Sequence, residues 1–226
     1  MSVDAPTAAP LRRDPLRLAV LISGSGSNLQ ALIDTRETGA RPVEIVAVIS
    51  NRADAFGLER ARRAAIPTEV LSHRGYATRE DYDAALAARL DAHAPQLIAL
   101  AGFMRILTPG FVERWHGRML NIHPSLLPRH RGLHTHARAL EAGDKIHGAT
   151  VHYVTAELDG GPAIIQAQVP VQPGDDEERL AARVLTQEHR IYPLAVRWIA
   201  EERVALDAYG IVRLDGQRLR QPVVVD

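Results

Sequence analysis

The chain has 226 residues, with 27 Lys and Arg against 27 Asp and Glu, 46% apolar residues and no cysteine. That length fits one domain whose core needs no covalent staples. The missing thiols exclude disulfides, a cysteine nucleophile, an iron–sulfur cluster and any zinc site that uses cysteine. Balanced charge argues against a dedicated nucleic-acid binder, which carries a basic excess, but leaves room for a local phosphate site.

Residues 1–16 are rich in Pro and Ala, lack periodicity and read as a flexible N-terminal tail. The apolar run 18–22 predicts a buried first strand. It is too short for a membrane span or a secretory signal core, and no other run approaches a span, so a cytoplasmic protein is expected. Leu29, Leu32 and Ile33 predict a helix over 28–37. A second strand follows over 43–49, a charged helix over 53–65 ended by Pro67, and a short third strand over 68–71. Tyr82, Leu86 and Leu90 are spaced for a helix over 79–93, and strands four and five are expected at 97–101 and 119–122. Strand–helix alternation with nearly continuous apolar strands predicts an α/β, Rossmann-like fold: a mostly parallel twisted sheet with helices on both faces. Beyond residue 145 the pattern changes. Segments 151–155 and 163–171 alternate like antiparallel strands around a turn at 160–162. A long helix opens at 173–175, with acids in its first turn, and runs to about 201. Gly210 and Gly216 flank the short runs of a small hairpin, giving a single domain over 17–220 and a C-terminal tail over 221–226.

The first candidate site is Ser23-Gly24-Ser25-Gly26-Ser27-Asn28, between the first strand and helix. Glycines permit a sharp turn and close approach, and a helix N-terminus offers free N–H groups and a positive dipole end. The segment is either a phosphate seat or simply a tight turn. Leu29 stands where a dinucleotide fingerprint needs its third glycine, and no Lys-Ser/Thr follows as in a P-loop. The second site is Asn121-Ile122-His123-Pro124, where Asn121 and His123 leave a strand end on one face, as ligand-binding residues of parallel sheets do. An amide donor and an imidazole suit a carbonyl oxygen that is becoming an oxyanion. The plainer alternative is ordinary loop hydrogen bonding. The third is Asp159, a turn residue before Gly160-Gly161 unless it meets His123, whose protonated form a carboxylate would stabilise.

The fourth is Gly132-Leu133-His134-Thr135-His136, near His123 and His130. No acidic residue stands at supporting spacing, so a metal is not expected, and these histidines either fix a loop or meet an anionic substrate. Arg105, within Met104-Arg105-Ile106-Leu107, is a surface charge or a ligand contact. The apolar residues around it either line a pocket for a flat heterocycle or pack in the core. Glu188, inside the long helix, is a solvated charge or a carboxylate for a ligand amine or hydroxyl.

Taken in order, Ser-Gly-x-Gly-Ser-Asn, Ala-Gly-Phe-Met-Arg-Ile-Leu, Asn-Ile-His-Pro-Ser-Leu-Leu-Pro, Gly-Leu-His-Thr-His and Leu-Asp-Gly-Gly-Pro resemble the folate-dependent formyltransferase family over about residues 17–220. The Gly-Leu-His-Thr-His segment and the single-domain length resemble the members that formylate glycinamide ribonucleotide in purine biosynthesis. The resemblance implies transfer of a formyl group from the co-substrate 10-formyltetrahydrofolate to the ribonucleotide amine, without a metal. It implies a catalytic set of Asn121, His123 and Asp159, and ribonucleotide contacts from Gly26, Ser27, Asn28 and Glu188. It implies folate contacts from Arg79, Met104, Arg105, Ile106 and Leu107, and from a loop of Thr155, Ala156, Glu157 and Leu158 that leads to Asp159. The partners implied are these two small molecules, with no nucleic acid and no membrane, in a monomer or homodimer.

Rival readings lie close by. A 10-formyltetrahydrofolate deformylase passes the formyl group to water but usually carries an N-terminal regulatory domain, where only residues 1–16 precede the first strand here. A formyltransferase acting on tRNA needs a C-terminal domain for which the chain after Ile199 is short. A non-catalytic nucleotide- or folate-binding module would tolerate loss of the Asn–His–Asp set, and all three positions are intact.

Overall fold

The computed structural model describes residues 14–225, so positions 1–13 of the expected tail lie outside the described residues. Strands β1 (Leu16–Ile22), β2 (Val43–Ser50), β3 (Thr68–Val70), β4 (Leu97–Leu100), β5 (Met119–His123), β6 (Ile146–Tyr153) and β7 (Ala163–Pro170) alternate with six helices. These are α1 (Ser27–Thr35), α2 (Phe56–Arg63), α3 (Arg79–His93), α4 (Pro109–Arg114), α5 (Thr135–Glu141) and α6 (Glu177–Ala200). Strands β8 (Val204–Leu206), β9 (Val212–Leu214) and β10 (Gln217–Arg218) form a small antiparallel sheet, and β11 (Val223–Val225) returns to the main one.

The main sheet runs β11-β7-β6-β5-β4-β1-β2-β3. Strands β1 to β5 are mutually parallel, β6 is antiparallel to both its neighbours, and β11 lies parallel to β7. The strand order reverses at β1, which has β2 on one side and β4 on the other. Loops that leave β1 and β4 therefore diverge and open a crevice at the carboxyl ends of the strands.

The two-residue period of the strands splits the core. Leu18, Val20 and Ile22 of β1 join α1, α2, α5 and α6 on one face, while Ala19 and Leu21 join α3 and α4 on the other. Met119 belongs to the α3–α4 side and Leu120 and Ile122 to the opposite one, so Asn121 and His123 project from the sheet face that α3 and α4 cover further along. Tyr192 of α6 is fully buried, and its hydroxyl lies 3.0 Å from the Leu100 carbonyl and 3.2 Å from that of Leu120. That one group ties α6 to the adjacent strands β4 and β5.

Several expectations need correction. β1 begins at Leu16, inside the expected tail. β6 begins at Ile146 rather than Val151, because its early residues pair with β7 through backbone groups that no side-chain pattern announces. α6 begins at Glu177, capped by the Asp176 side chain on the Arg179 N–H. The expected C-terminal tail holds β11, whose register runs Val223 to Ile165 through Val225 to Ala167. α4 and α5 are additional elements.

Candidate active site

The loop between β1 and α1 is held by backbone geometry. Gly26 adopts φ +69°, a left-handed conformation that favours glycine, and no side chain caps α1. The first-turn N–H groups of α1 are thus free for an external acceptor. The preceding carbonyls are turned the other way: Gly57 N–H donates to Gly24 O at 3.0 Å, and Arg60 Nε donates to Ser25 O at 2.9 Å. A Cβ on Gly26 would lie 2.5 Å from Gly57 Cα, so the loop and the first turn of α2 meet backbone to backbone. Ser23 Oγ donates to Asn51 Oδ1 at 2.6 Å and accepts from Met104 N–H at 2.8 Å, which fastens the loops after β1, β2 and β4 together. Gly57 and Arg60 escaped sequence reasoning. The available signal was a glycine inside a charged helical pattern, which marks close backbone approach.

Glu188 reaches the same place from α6. It is buried, and its Oε2 accepts from Asn28 Nδ2 at 2.6 Å. The solvated-charge reading of Glu188 is therefore wrong. Burial raises the Glu188 pKa above its ordinary value, with the Asn28 hydrogen bond acting in the opposite sense. Asn28 Oδ1 is buried with no hydrogen-bond partner, an acceptor left unsatisfied beside that pair.

The second cluster is held by side chains. Loop 154–162 folds back over β5 and brings Asp159, itself at φ +48°, to Asn121 and His123. Asp159 Oδ2 lies 3.4 Å from His123 Nδ1 and accepts from Gly132 N–H at 2.9 Å, while Oδ1 lies 3.5 Å from Asn121 Nδ2. His123 Nε2 donates to the His130 carbonyl at 3.0 Å. Both ring nitrogens of His123 therefore face acceptors, an arrangement that two N–H donors satisfy. Asp159 is thus more than a turn residue.

His152, opposite Asn121 across the β5–β6 ladder, was not singled out from the sequence. Its Nδ1–H donates to Tyr153 O at 2.8 Å, and its Nε2 lies 3.3 Å from Asn121 Nδ2. Burial lowers its pKa, so it stands as a neutral acceptor that fixes which way the Asn121 amide points. Its signal was period two: strand partners of a site residue share its face.

The segments expected to meet folate are divided. Met104 and Ile106 are exposed apolar side chains after β4, and Leu133 and Leu158 are exposed on the two loops beside Asp159. Arg105 is half-buried, its guanidinium 5.8 Å from the Tyr82 ring centroid and its Nε without a partner. Leu107 packs into the α3–α4 core, so its side chain is not on a ligand surface. Thr155 Oγ1 reaches Glu157 O at 3.4 Å, Ala156 is exposed, and Glu157 pairs with Arg131. Arg79 is exposed at the first position of α3, outside the hydrogen-bonded cluster. Of the other histidines, His134 is exposed at the start of α5, and His136 Nδ1 lies 3.2 Å from His147 Nε2. Among the described residues no group of three or more His, Asp or Glu is placed to hold a metal ion.

The chain is similar to known proteins over most of its length. A family model described as formyl transferase matches residues 16–196. The chain is 55% identical over 204 residues to the phosphoribosylglycinamide formyltransferase of Escherichia coli, covering 90% of this chain and 96% of that one. It is 47% identical over 194 residues to a human protein named trifunctional purine biosynthetic protein adenosine-3, covering 86% of this chain and 19% of that longer one. The solved phosphoribosylglycinamide formyltransferase of Coxiella burnetii superposes with a TM-score of 0.90 at 48% identity, covering 94% of this chain and all of that one.

Proposed function

The chain belongs to the formyl transferase family, and within it we propose that the enzyme transfers a formyl group from 10-formyltetrahydrofolate to the amine of glycinamide ribonucleotide, a step of purine biosynthesis. The observation that carries this reading is the coexistence of two prepared sites. An uncapped helix N-terminus with the Asn28–Glu188 pair suits a phosphate and an amine-bearing ribonucleotide, and the Asn121–His123–Asp159 cluster suits an acyl oxygen. Water as acceptor would need only the second.

In this reading the N–H groups of Gly26, Ser27 and Asn28 take the ribonucleotide phosphate. Glu188 accepts from the substrate's own donors. The exposed Met104 and Ile106 and the loop from Thr155 to Leu158 line the folate, with backbone groups of Arg105 and Leu107 at the edge of its heterocycle. The expectation of an Arg79 contact rests on resemblance alone.

The ribonucleotide amine attacks the formyl carbon, and negative charge grows on the formyl oxygen. Asn121 Nδ2 and His123 Nδ1 reach Asp159 only at 3.5 and 3.4 Å, so both retain donor capacity for that oxygen. A donor aimed at a developing oxyanion contributes about 3 kcal/mol to the transition state. Asp159 balances the charge of the imidazolium and is the carboxylate within reach of the proton that must leave the attacking nitrogen. Collapse of the tetrahedral intermediate breaks the carbon–N10 bond, and N10 takes up a proton.

The test is product identification. Purified protein incubated with both substrates should yield formylated ribonucleotide and tetrahydrofolate in equal amounts by mass spectrometry. Formate in place of the formylated ribonucleotide would make the protein a hydrolase.

A further inference from the structure

The catalytic histidine is anchored through a backbone carbonyl, and that carbonyl belongs to a residue whose own side chain is tied down. His123 Nε2 donates to His130 O at 3.0 Å. His130 lies in the left-handed region at φ +51°, a conformation a non-glycine residue keeps only when its surroundings enforce it. The contact that enforces it is made by its own side chain: His130 Nε2 lies 2.7 Å from Asp144 Oδ2. Asp144 sits in the turn between α5 and β6, where its N–H donates to Ala139 O at 3.1 Å and its carboxylate is only 5% exposed. Its other oxygen accepts from Arg129 NH2 at 2.7 Å, and the Arg129 carbonyl is in turn held by Ser125 Oγ at 2.7 Å.

We propose that Asp144 and His130 are positioning residues for the formyl transfer reaction. Together they hold the His130 carbonyl where it fixes the His123 ring, so that Nδ1 and not Nε2 faces Asp159 and the reacting oxygen. Neither touches substrate. A histidine whose second nitrogen is engaged by a carbonyl has its orientation set by that bond. Misplacement of a reacting group by about 1 Å costs on the order of a hundredfold in rate. The inference rests on the functional reading above for its kinetic readout but has an independent spectroscopic one.

The experiment compares Asp144→Asn, His130→Phe, His130→Gln and the double variant Asp144→Asn/His130→Phe with the intact chain. Each is measured for kcat, for KM of both substrates and for the His123 Nε2–H resonance in proton–nitrogen spectra. Asp144→Asn and His130→Phe should each lower kcat by about tenfold or more with both KM values within about threefold. His130→Gln, which keeps a donor toward Asp144, should recover most of the loss. The double variant should be no slower than the slower single one, because both act through one carbonyl. The protected Nε2–H resonance should weaken in the same variants that lose rate. Folded variants that melt earlier yet keep kcat within about twofold, or losses that multiply in the double variant, would overturn the proposal. Should the intact protein fail to transfer formyl to the ribonucleotide, the functional reading falls. An unprotected Nε2–H in the intact protein, or one unchanged in the variants, would separately overturn the positioning role.

Discussion

Two regions share the active crevice and are built on opposite plans. The loop 23–28 is shaped by its backbone: a left-handed Gly26, a helix N-terminus left uncapped, and carbonyls drawn off by Gly57 and Arg60. The Asn121–His123–Asp159 cluster is shaped by side chains, each with two or more polar neighbours drawn from β5, β6 and the loops beside them. The first plan tolerates a change of chemistry but not of volume. The second tolerates little change of chemistry, since each neighbour fixes another's rotamer. Binding and reaction should therefore fail separately.

The largest separation is expected from His123→Ala. If His123 is the oxyanion donor proposed above, its loss should lower kcat by a factor on the order of 100 to 1000. Ribonucleotide affinity by calorimetry should stay within about threefold, because the loop is untouched. Gly26→Ala should do the reverse. Its Cβ would approach Gly57 Cα to 2.5 Å, at a φ of +69° that costs a non-glycine residue about 1–2 kcal/mol. Ribonucleotide affinity should drop by about tenfold or more, with kcat at saturation much less affected. Equal effects of both variants on both parameters would erase the distinction.

Acid should sharpen it. Burial pushes the His147 pKa down to about 4, with the neighbouring His136 and His130 acting in the same sense. The unfolded chain then binds a proton at His147 below about pH 6.5. The folded one does not until about pH 4, so this contribution to stability is lost as pH falls through that window. Glu188 has the opposite sign: its raised folded pKa makes the native state take up a proton first as pH falls, so acid does not loosen loop 23–28 through it. His147→Gln should flatten the fall of melting temperature between those limits. Amide exchange should quicken first around residues 130–147. The smallest effect is expected from Tyr192→Phe, which removes the hydroxyl bonded to Leu100 and Leu120 and should cost about 1 kcal/mol in denaturant unfolding.

Much of this was legible in the chain, for physical reasons that also mark where legibility ends. Strands buried on both faces announce themselves as apolar runs, and α3 spells its helical period in Tyr82, Leu86 and Leu90. α4 and α5, of six and seven residues, are too short to show a period. β11 gains its identity from pairing with β7, far away in sequence. Asn121, His123 and Asp159 stood out because their residue types and resemblance to a family agreed, and the structure brings them together. Gly57, Arg60, His152 and Asp144 did not, because what they do depends on contacts that only the folded chain makes. For Leu107 the chain left two readings open, pocket lining or core, and burial of its side chain beside α3 and α4 decides for the core while leaving its backbone groups available.

The most direct measurement is the absorbance change on deformylation of 10-formyltetrahydrofolate, recorded with and without glycinamide ribonucleotide. Turnover that appears only with the ribonucleotide is the predicted result, since loop 23–28 and Glu188 would then deliver the attacking amine to the cluster. Equal turnover without it would contradict the account, for water would be the acceptor and the first region would have no part in the reaction.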